Sequence, residues 1–583
     1  MLKVLLCIPP SYCYTYDFPP LGTPMLSGFL KENGFEVLQQ DYNLRYLDYW
    51  KKKIFNGQVP EGISTNESSV LVTELLNRLF LKKSERGYYY SHLLSPEPFG
   101  LNYNDRTNSS FSFIEKLLSS DYLFQYIKDE KENTFLRFFL EEDVLSGIEQ
   151  QKVNLVGISI TAPSQVIGAF SLGYLIKKNL EDVQVSLGGQ WVSLYREELK
   201  KRPEWQKFFD SFIIFEGETP LLSLATSLSR NNSLSRVPNL IYKSDSQWKE
   251  SQVNSKEDLN GLACPDFEGL PLKKYTASEG KKGISLTYQT ARECYWNKCV
   301  YCVDLPLPKQ GYRERDMDLV ISDIKKLIRS YGLTYLEISN AVFSPRQMRG
   351  LSKRILQEGM QFDWWCFCRL ENGFTKEIFE LAKKAGCQDI GFGLESGNQR
   401  VLDFINKGTH LEVAKRVIMD SRSSGIDVNL QVMLGLPSET LQEALDTIKF
   451  LIEHRDYISS VAFNIYYLTP ACQVFLHPRL YEIDRKTYPA TPFKFFHEFS
   501  HLSGELCRER AGEFMDLYYK LLDKKQNTHQ DINPSVNFGQ KEDTSHYTLS
   551  LSVGGDSACL EYDFNHLTKE GLISEKNEVL RNV

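Results

Sequence analysis

The sequence predicts an α/β protein in which two domains, each built of alternating strands and helices, follow one another. Apolar runs alternate with helical stretches near the N-terminus, and a second alternation of the same kind occupies the middle of the chain. The first alternation predicts a doubly wound, Rossmann-like (flavodoxin-like) domain. The second predicts a partial (β/α)6 barrel of the TIM type, followed by a small α/β region. The expected boundaries are 1–230 for the first domain with a helical insertion at 45–150, 231–282 for a linker, 283–470 for the barrel and 471–583 for a C-terminal accessory region.

Short apolar runs bounded by turn residues mark the strands of the first domain. The run at 3–8 is uninterrupted, as expected of a parallel strand that is covered on both faces. Pro19, Pro20 and Gly22 precede a helical pattern that ends near Asn33-Gly34, which is a helix-stop signal. Further strands are expected at 35–38, 155–160, 183–187 and 212–215.

The insertion and the linker carry no motif. The insertion is rich in Lys, Glu, Tyr and Phe and predicts helices. The insertion fits either a cap that faces a substrate or a segment with a purely structural role. The linker is polar, with room for one hairpin around 239–243.

The barrel is predicted from six apolar strands separated by helical segments. In such a barrel, the chemistry lies at the C-terminal ends of the strands. The accessory region predicts two strands, 547–552 and 558–562, around the Gly554-Gly555 turn, with a helix after them. That region either packs over the barrel mouth or contacts a substrate. The expected barrel strands are 284–290, 335–339, 364–369, 389–395, 428–434 and 461–468.

Composition excludes several classes of protein. Of the 583 residues, 42% are hydrophobic and 25% charged, which excludes a disordered chain. A net charge of −7 argues against a nucleic-acid partner. The N-terminal apolar run is too short for a signal peptide, and the uncharged stretch 153–176 contains Asn, Pro, Ser and Gln, unlike a membrane span. We therefore expect a soluble, cytoplasmic protein with no membrane partner.

Three cysteines lie within nine residues just after the first barrel strand: Cys294, Cys299 and Cys302. In a cytosolic chain such clustering favours metal ligation over disulfides. An iron–sulfur cubane with one open iron fits three ligands. Zinc would need a fourth ligand, which Cys366 or Cys368 on the third barrel strand could supply. Three buried free thiols remain a further alternative.

The cysteine loop resembles that of the radical S-adenosylmethionine (SAM) enzymes, in which a cysteine triad follows the first barrel strand and binds a [4Fe-4S] cluster. The resemblance implies that Tyr301, just before the last cysteine, packs near the adenine of SAM. One departure is the spacing of the first two cysteines, which has four intervening residues where three are common.

Two further motifs agree with this resemblance. Residues 391–397 resemble the fourth-strand motif whose glutamate, here Glu395, contacts the nucleoside. Residues 433–440 resemble the fifth-strand motif that places Gly435 and Pro437 against the adenine. Arg369 is a candidate partner for the methionyl carboxylate, since Arg suits planar bidentate recognition. In isolation, Glu395 could merely cap a helix, and the Gly-Leu-Pro sequence could be an ordinary turn.

The first domain resembles the cobalamin-binding domain found ahead of many such barrels. The matching residues follow predicted strands or start helices, where glycines let a backbone approach a large flat ligand. An unliganded domain, or one that binds a nucleotide or flavin, is the alternative. The Asp-x-His-x-x-Gly cobalt-ligating motif is absent. The implied cobalamin contacts are Pro9, Leu21, Gly22, Ser159, Thr161, Gly188, Gly189, Glu216 and Gly217.

Together these resemblances imply a cobalamin-dependent radical SAM enzyme with a [4Fe-4S] cluster, SAM and cobalamin as cofactors. Methylation of an unactivated carbon in a peptide or natural product, through a 5′-deoxyadenosyl radical and methylcobalamin, is the leading hypothesis. Radical cyclisation or rearrangement, a tRNA-thiolation enzyme, and a non-enzymatic cobalamin carrier or sensor are the alternatives. A flavodoxin- or ferredoxin-type reductant is the expected protein partner.

Two adjacent tyrosines are weak candidates for the catalytic residues. Tyr466 and Tyr467 lie in the last predicted barrel strand, where they could touch a substrate or tune proton delivery. By the alternation of a strand, at least one of them should face the core.

Overall fold

The computed structural model describes residues 2–11, 17–55, 118, 122–251, 256–275, 277–278, 282–303, 311–485, 493, 499–502, 511, 514–515, 517–518, 532–534, 546–553 and 556–563. Within these residues, no helix is long and apolar enough to cross a membrane. The predicted α/β fold is confirmed, and the middle of the chain forms a curled parallel half-barrel.

The first sheet has seven strands in the order β2-β1-β3-β4-β5-β6-β7. Its first five strands are parallel, and β6 and β7 are antiparallel. Its strands are β1 (Lys3–Ile8), β2 (Glu36–Asp41), β3 (Leu155–Ser159), β4 (Gln184–Gly188), β5 (Ser211–Ile213), β6 (Leu240–Ser244) and β7 (Gln247–Glu250). The helices are α1 (Gly22–Glu32), α2 (Tyr42–Phe55), α3 (Leu123–Tyr126), α4 (Thr134–Glu141), α5 (Val144–Gln150), α6 (Val166–Asn179), α7 (Gln190–Leu194), α8 (Arg196–Lys200) and α9 (Glu218–Ser229).

Helices cover both faces of this sheet, which explains the uninterrupted apolar run of β1. Val4 and Leu6 pack into one core with α1 and α9. Leu5 and Cys7 face the other side and pack into a second core, which includes α6. Side chains of a strand point alternately to opposite faces, so a strand buried on both faces needs apolar residues throughout.

The segment expected to be a linker forms regular structure in part. The predicted hairpin forms β6 and β7, which extend the first sheet beyond β5, so residues 240–250 are part of that sheet. Residues 256–275 contact both the first domain and the barrel. There Asp266 accepts a hydrogen bond from Ser27 of α1 at 2.7 Å, and Tyr275 donates one to the buried Asp41 at 2.7 Å. The described parts of the insertion are helical, and the rest of it lies outside the described residues.

The barrel sheet has six parallel strands in chain order, β8-β11-β12-β13-β14-β15, as predicted. A short antiparallel pair, β9 and β10, interrupts the chain between its first two strands. The strands are β8 (Ile284–Tyr288), β9 (Ala291–Arg292), β10 (Arg313–Glu314), β11 (Leu333–Ile338), β12 (Asp363–Arg369), β13 (Cys387–Glu395), β14 (Asp427–Leu434) and β15 (Ser460–Ile465). The helices are α10 (Met317–Tyr331), α11 (Pro345–Gln357), α12 (Lys376–Lys384), α13 (Gln399–Phe404), α14 (Leu411–Ser423) and α15 (Leu441–Glu453).

The accessory region contains short elements after the barrel. Helix α16 (Gln473–Leu476) is followed by the antiparallel pair β16 (Ile483–Arg485) and β17 (Phe499–His501). A three-stranded sheet contains β18 (Ile532–Pro534), β19 (His546–Val553) and β20 (Asp556–Asp563). The last two strands are the pair predicted around the glycine turn, and the helix expected after them lies outside the described residues.

Candidate active site

A two-stranded ladder forms the base of the cysteine loop. β9 and β10 place Arg292 opposite Arg313, and the three cysteines lie on the chain between these strands. We call this ladder the stem. The middle of the loop is held by the backbone N–H of Val300, which donates to the Ile405 carbonyl at 3.1 Å. The loop is therefore anchored both at its base and against the segment that follows β13.

The three cysteines lie in different environments. Cys294 and Cys299 are partly buried, whereas Cys302 is exposed. Across the described residues, no three His, Cys, Asp or Glu side chains are grouped as a metal site. Burial raises the pKa of Cys299, and the nearby cations of Lys407 and Arg369 oppose that rise. Because the thiolate is the form that binds metals, these cations favour the ligating state of Cys299.

Arg369 ends β12 and lies between the cysteine loop and the segment after β13. Its side chain is almost fully buried, with its guanidinium carbon 4.4 Å from the centroid of the Trp296 ring. One guanidinium nitrogen donates to the Lys407 carbonyl at 2.5 Å. The indole N–H of Trp296 donates to the Asn406 carbonyl at 2.8 Å. The arginine predicted to meet a carboxylate is thus held between Trp296 of the cysteine loop and the carbonyl of Lys407.

Glu395, at the end of β13, forms a buried ion pair that the sequence did not reveal. Its carboxylate lies 2.7 Å from the Lys407 ammonium, which is 3.5 Å from the Tyr301 hydroxyl. Burial and then the charge of Glu395 raise the pKa of Tyr301 well above its usual value. A Cβ at Gly393 would lie 2.7 Å from the ammonium nitrogen and 2.8 Å from the carboxylate, so any larger residue there would force the ends of both side chains to shift.

The turn after β14 is organised by a buried glutamate. The backbone N–H groups of Gly435 and Leu436 donate to one carboxyl oxygen of Glu439 at 2.7 and 3.1 Å. Gly435 has φ +79°, a conformation that favours glycine, and Pro437 follows in the same turn. The motif predicted to lie against an adenine is therefore a rigid turn at the end of a strand.

The two candidate tyrosines differ in burial. Tyr466 is only 2% exposed and packs with Val300, Leu468 and Phe499, in agreement with one of the pair facing the core. Tyr467 is partly buried. Tyr466 thus belongs to the same buried apolar cluster as Val300 of the cysteine loop.

The two cysteines of β12 are placed away from the triad. Cys366 and Cys368 are buried in the core between the sheet and its outer helices, together with Trp364 and Phe379. Their sulfur atoms are 3.6 Å apart. They do face one side of the sheet, as expected, but that side is the outer one. The idea that they supply a fourth ligand to the triad is therefore wrong.

A cavity of about 460 Å³ lies at the carboxyl ends of the first domain's strands and reaches the barrel. Pro9 and Thr161 are outside its lining, because Pro9 accepts from Gln165 and Thr161 donates to the same side chain. Arg292, Glu293 and two other residues line it from the barrel side. Seven of the nine residues expected to contact cobalamin line it, namely Leu21, Gly22, Ser159, Gly188, Gly189, Glu216 and Gly217.

Several residues of the site escaped sequence reasoning. Lys407 lies in an ordinary polar turn after α13, Arg292 looks like any exposed arginine of a short loop, and Glu439 resembles a helix-capping residue. Each acts through a partner that the sequence does not indicate. Buried charges need such partners, so only the fold identifies them.

Comparisons with known proteins agree with this geometry. Residues 288–451 match the model of the radical SAM superfamily. An uncharacterized methyltransferase of Pyrococcus horikoshii is 26% identical over 336 residues, which are 56% of this chain and 71% of the relative.

Two solved structures share the fold. OxsB, a cobalamin-dependent SAM radical enzyme with aqua-cobalamin and SAM bound, superposes with a TM-score of 0.59 at 14% identity and covers 90% of this chain and 67% of its own. The radical SAM methyltransferase TsrM of Kitasatospora setae, with cobalamin and a [4Fe-4S] cluster bound, gives 0.54 at 14% identity, with 86% and 84% covered.

The matched residues begin at the end of β8 and include all three cysteines, the Arg369 strand end, the Glu395–Lys407 pair and the Gly435 turn. The half-barrel is therefore a radical SAM domain, so the chain contains the catalytic domain of an enzyme, and this domain implies a [4Fe-4S] cluster and SAM as cofactors.

Proposed function

We propose that this protein is a cobalamin-dependent radical SAM methyltransferase that acts on an unactivated carbon of a small molecule or peptide. The observation that carries the proposal is the position of the first-domain cavity. It opens against the barrel, and its wall includes Arg292 and Glu293, the two residues that precede Cys294. A ligand in this cavity would lie beside the cysteine loop.

The residues present fit an iron–sulfur cluster. Cys294, Cys299 and Cys302 would ligate three of its irons, since three thiolates suit a cubane with one open iron. The cations of Arg369 and Lys407 lie near Cys299 and would offset the negative charge of the thiolates. The indole N–H of Trp296 and the backbone N–H of Val300 hold the loop in place, since each donates to a backbone carbonyl.

The residues around the loop also fit SAM. Glu395 would accept hydrogen bonds from the ribose hydroxyls, and Arg369 or Lys407 would pair with the methionyl carboxylate. Tyr301 and the Gly435 turn would pack against the adenine. Because Lys407 already pairs with Glu395 at 2.7 Å, it also holds that carboxylate in place before the ligand arrives.

The first domain fits cobalamin by its shape. Five glycines line the cavity, so a large part of its wall is main chain without side chains: Gly22, Gly157, Gly188, Gly189 and Gly217. Such a wall admits a broad, flat ligand. Ser159 and Gln190 add polar groups suited to amide side chains. When bound, cobalamin would supply a carrier for the methyl group, whereas SAM would supply that group and the 5′-deoxyadenosyl radical.

Two partners follow from this proposal. The cluster needs an electron donor, for which a flavodoxin- or ferredoxin-type protein is suitable. The substrate would enter where the cavity and the barrel meet, between Arg292 and the strand ends, because both cofactors have to reach it there. The methyltransferase relative and the cobalamin-binding neighbours support this assignment.

The test is metal content. The protein is expressed with cobalamin supplied and purified without oxygen, and iron and cobalt are measured per chain together with the electron paramagnetic resonance (EPR) spectrum. We expect about four irons and one cobalt. With a chemical reductant and SAM labelled in its methyl group, we further expect the label on a methylated product once a substrate is supplied.

Two variants give the matched comparison. Cys299→Ala should lose iron and retain cobalt, since the cavity is in the other domain. Cys366→Ala removes a thiol of the outer core and should retain both metals. Iron without cobalt in the wild type would refute the cobalamin assignment, and iron retained in Cys299→Ala would refute the assigned ligand set.

A further inference from the structure

Five charged residues form a joint between the first domain and the stem of the cysteine loop. Arg292 of β9 lies 2.5 Å from Glu216 and 2.5 Å from Glu218. Arg313 of β10 lies 2.8 Å from Glu216 and 2.5 Å from Glu293. Both strands of the stem therefore bind the same carboxylate of the first domain. We call these five residues the interdomain joint.

The joint is buried, which makes its geometry specific. The side chains of its members are only 5 to 14% exposed. A buried charge that loses its partner is left uncompensated in a medium of low polarity, so the pairs are kept together. Arg292 grips two carboxylates with separate guanidinium nitrogens, an arrangement for which the planar fork of arginine is suited.

The joint also forms part of the cavity wall. Glu216, Glu218, Arg292 and Glu293 all line the first-domain cavity. On its other side, Arg292 is two residues from Cys294. One group of side chains thus touches both the space for a first-domain ligand and the strand that enters the cysteine loop.

We propose that Arg292 is a positioning residue that couples occupancy of the first-domain cavity to the arrangement of the cysteine loop. The inference rests on the proposed function, because it assigns cobalamin to the cavity and the cluster to the loop. A ligand against Glu216 and Glu218 fixes the carboxylates that hold Arg292, and Arg292 fixes the strand leading to Cys294. By linkage, the assembled cluster must favour cobalamin binding to the same degree.

The experiment measures this coupling directly. The dissociation constant of cobalamin is titrated by absorbance in the protein without cluster and again after anaerobic reconstitution of the cluster. We expect cobalamin to bind at least about fivefold more tightly with the cluster present. The EPR spectrum of the reduced cluster should also differ with and without cobalamin, a readout that does not depend on activity.

Variants of the joint and of the stem surface separate coupling from mere stability. In Arg292→Gln the ratio of dissociation constants should fall to about one, and in Glu218→Gln it should fall part of the way to one, while both cofactors still bind in each variant. Glu218→Gln leaves Arg292 paired with Glu216 and carries the test if Arg292→Gln does not fold. Arg346→Gln is the control. It removes an ion pair with Glu314 of the same stem, from a side chain that is 80% exposed, and it should keep the wild-type ratio.

The outcomes are distinguishable. If the wild type loads both cofactors and the ratio of its two cobalamin dissociation constants is one, the coupling through the interdomain joint is refuted but the proposed function is not. An unchanged ratio in Arg292→Gln or Glu218→Gln refutes the coupling in the same way. A wild type that loads iron but no cobalamin overturns the proposed function, and this inference with it. Loss of coupling in the joint variants, with the Arg346→Gln ratio intact, supports the positioning role.

Discussion

Replacing Glu439 by glutamine should make the barrel more stable, by an amount that grows with pH. Glu439 is fully buried at the turn after β14, and burial raises its pKa from 4.5 to about 8, although two backbone N–H groups oppose the rise. In the unfolded chain the carboxyl ionises near its ordinary value. Between these two pKa values, the folded protein therefore retains a proton that the unfolded chain has released.

The magnitude follows from linkage. In that pH window, each unit of rising pH lowers the free energy of unfolding by about 1.36 kcal/mol. From pH 5.5 to 7.5 the wild type should therefore lose about 2.7 kcal/mol through this group. A glutamine at position 439 does not ionise, and its carbonyl can still accept from Gly435 and Leu436. The stability difference between Glu439→Gln and wild type should thus increase by about 2.7 kcal/mol over the two pH units.

Urea unfolding, followed by tryptophan fluorescence, measures this difference at both pH values on protein purified without cofactors. Other titrating groups are present in both proteins and cancel in the comparison. Glu453→Gln is the control, because this glutamate ends the same helix, α15, but is exposed to solvent. A difference between Glu439→Gln and wild type that does not change with pH would refute the reasoning.

Three further substitutions test glycines. Gly393→Ala places a methyl group 2.7 Å from the Lys407 ammonium and should shift the flexible ends of Lys407 and Glu395, lowering the free energy of unfolding by about 1 kcal/mol and SAM affinity on the order of tenfold by calorimetry; an unchanged affinity would contradict the placement of SAM there. Gly189→Ala, at φ +102° and with its methyl group 2.3 Å from a carbonyl oxygen, should cost about 2 kcal/mol or more in urea unfolding and impair cobalamin uptake. Gly147→Ala, in a helix and with no atom within 4 Å of the new methyl group, should instead stabilise the protein by about 0.5–1 kcal/mol, and a loss of stability would contradict the open space described there.

The sequence predicted the two sheets well because their strands are apolar for a structural reason. β1 is covered on both faces, and β12 to β14 alternate between a buried outer face and a less buried inner one. The predicted strand starts were less accurate. Leu333 begins β11 two residues earlier than expected because Gly332, at φ +68°, ends α10 abruptly and lets the chain enter the sheet at once. Such boundaries depend on caps more than on hydrophobicity.

The cavity shows where sequence reasoning reaches its limit. Seven expected residues line it because glycines and serines at the ends of parallel strands necessarily meet at one edge of the sheet. Thr161 lies two residues beyond Ser159, which lines the cavity, and yet is itself outside the lining, because both its N–H and its hydroxyl donate to Gln165. A local hydrogen bond decides the direction of this loop side chain, and the hydrophobic periodicity of the sequence does not indicate such a bond.

The charged residues of the site each contact more than one motif, so the effect of a substitution cannot be assigned to a single motif. Lys407 compensates Glu395 and at the same time lies near Cys299, whose pKa it lowers against the effect of burial. Removing the lysine would therefore leave a buried carboxylate unpaired and also make that thiol harder to ionise. Arg292 has the same double position, between the cavity carboxylates and the stem. At two places in the protein, a single buried cation links motifs that are separate in the sequence. A substitution in one of these motifs should therefore also affect its partner across the fold.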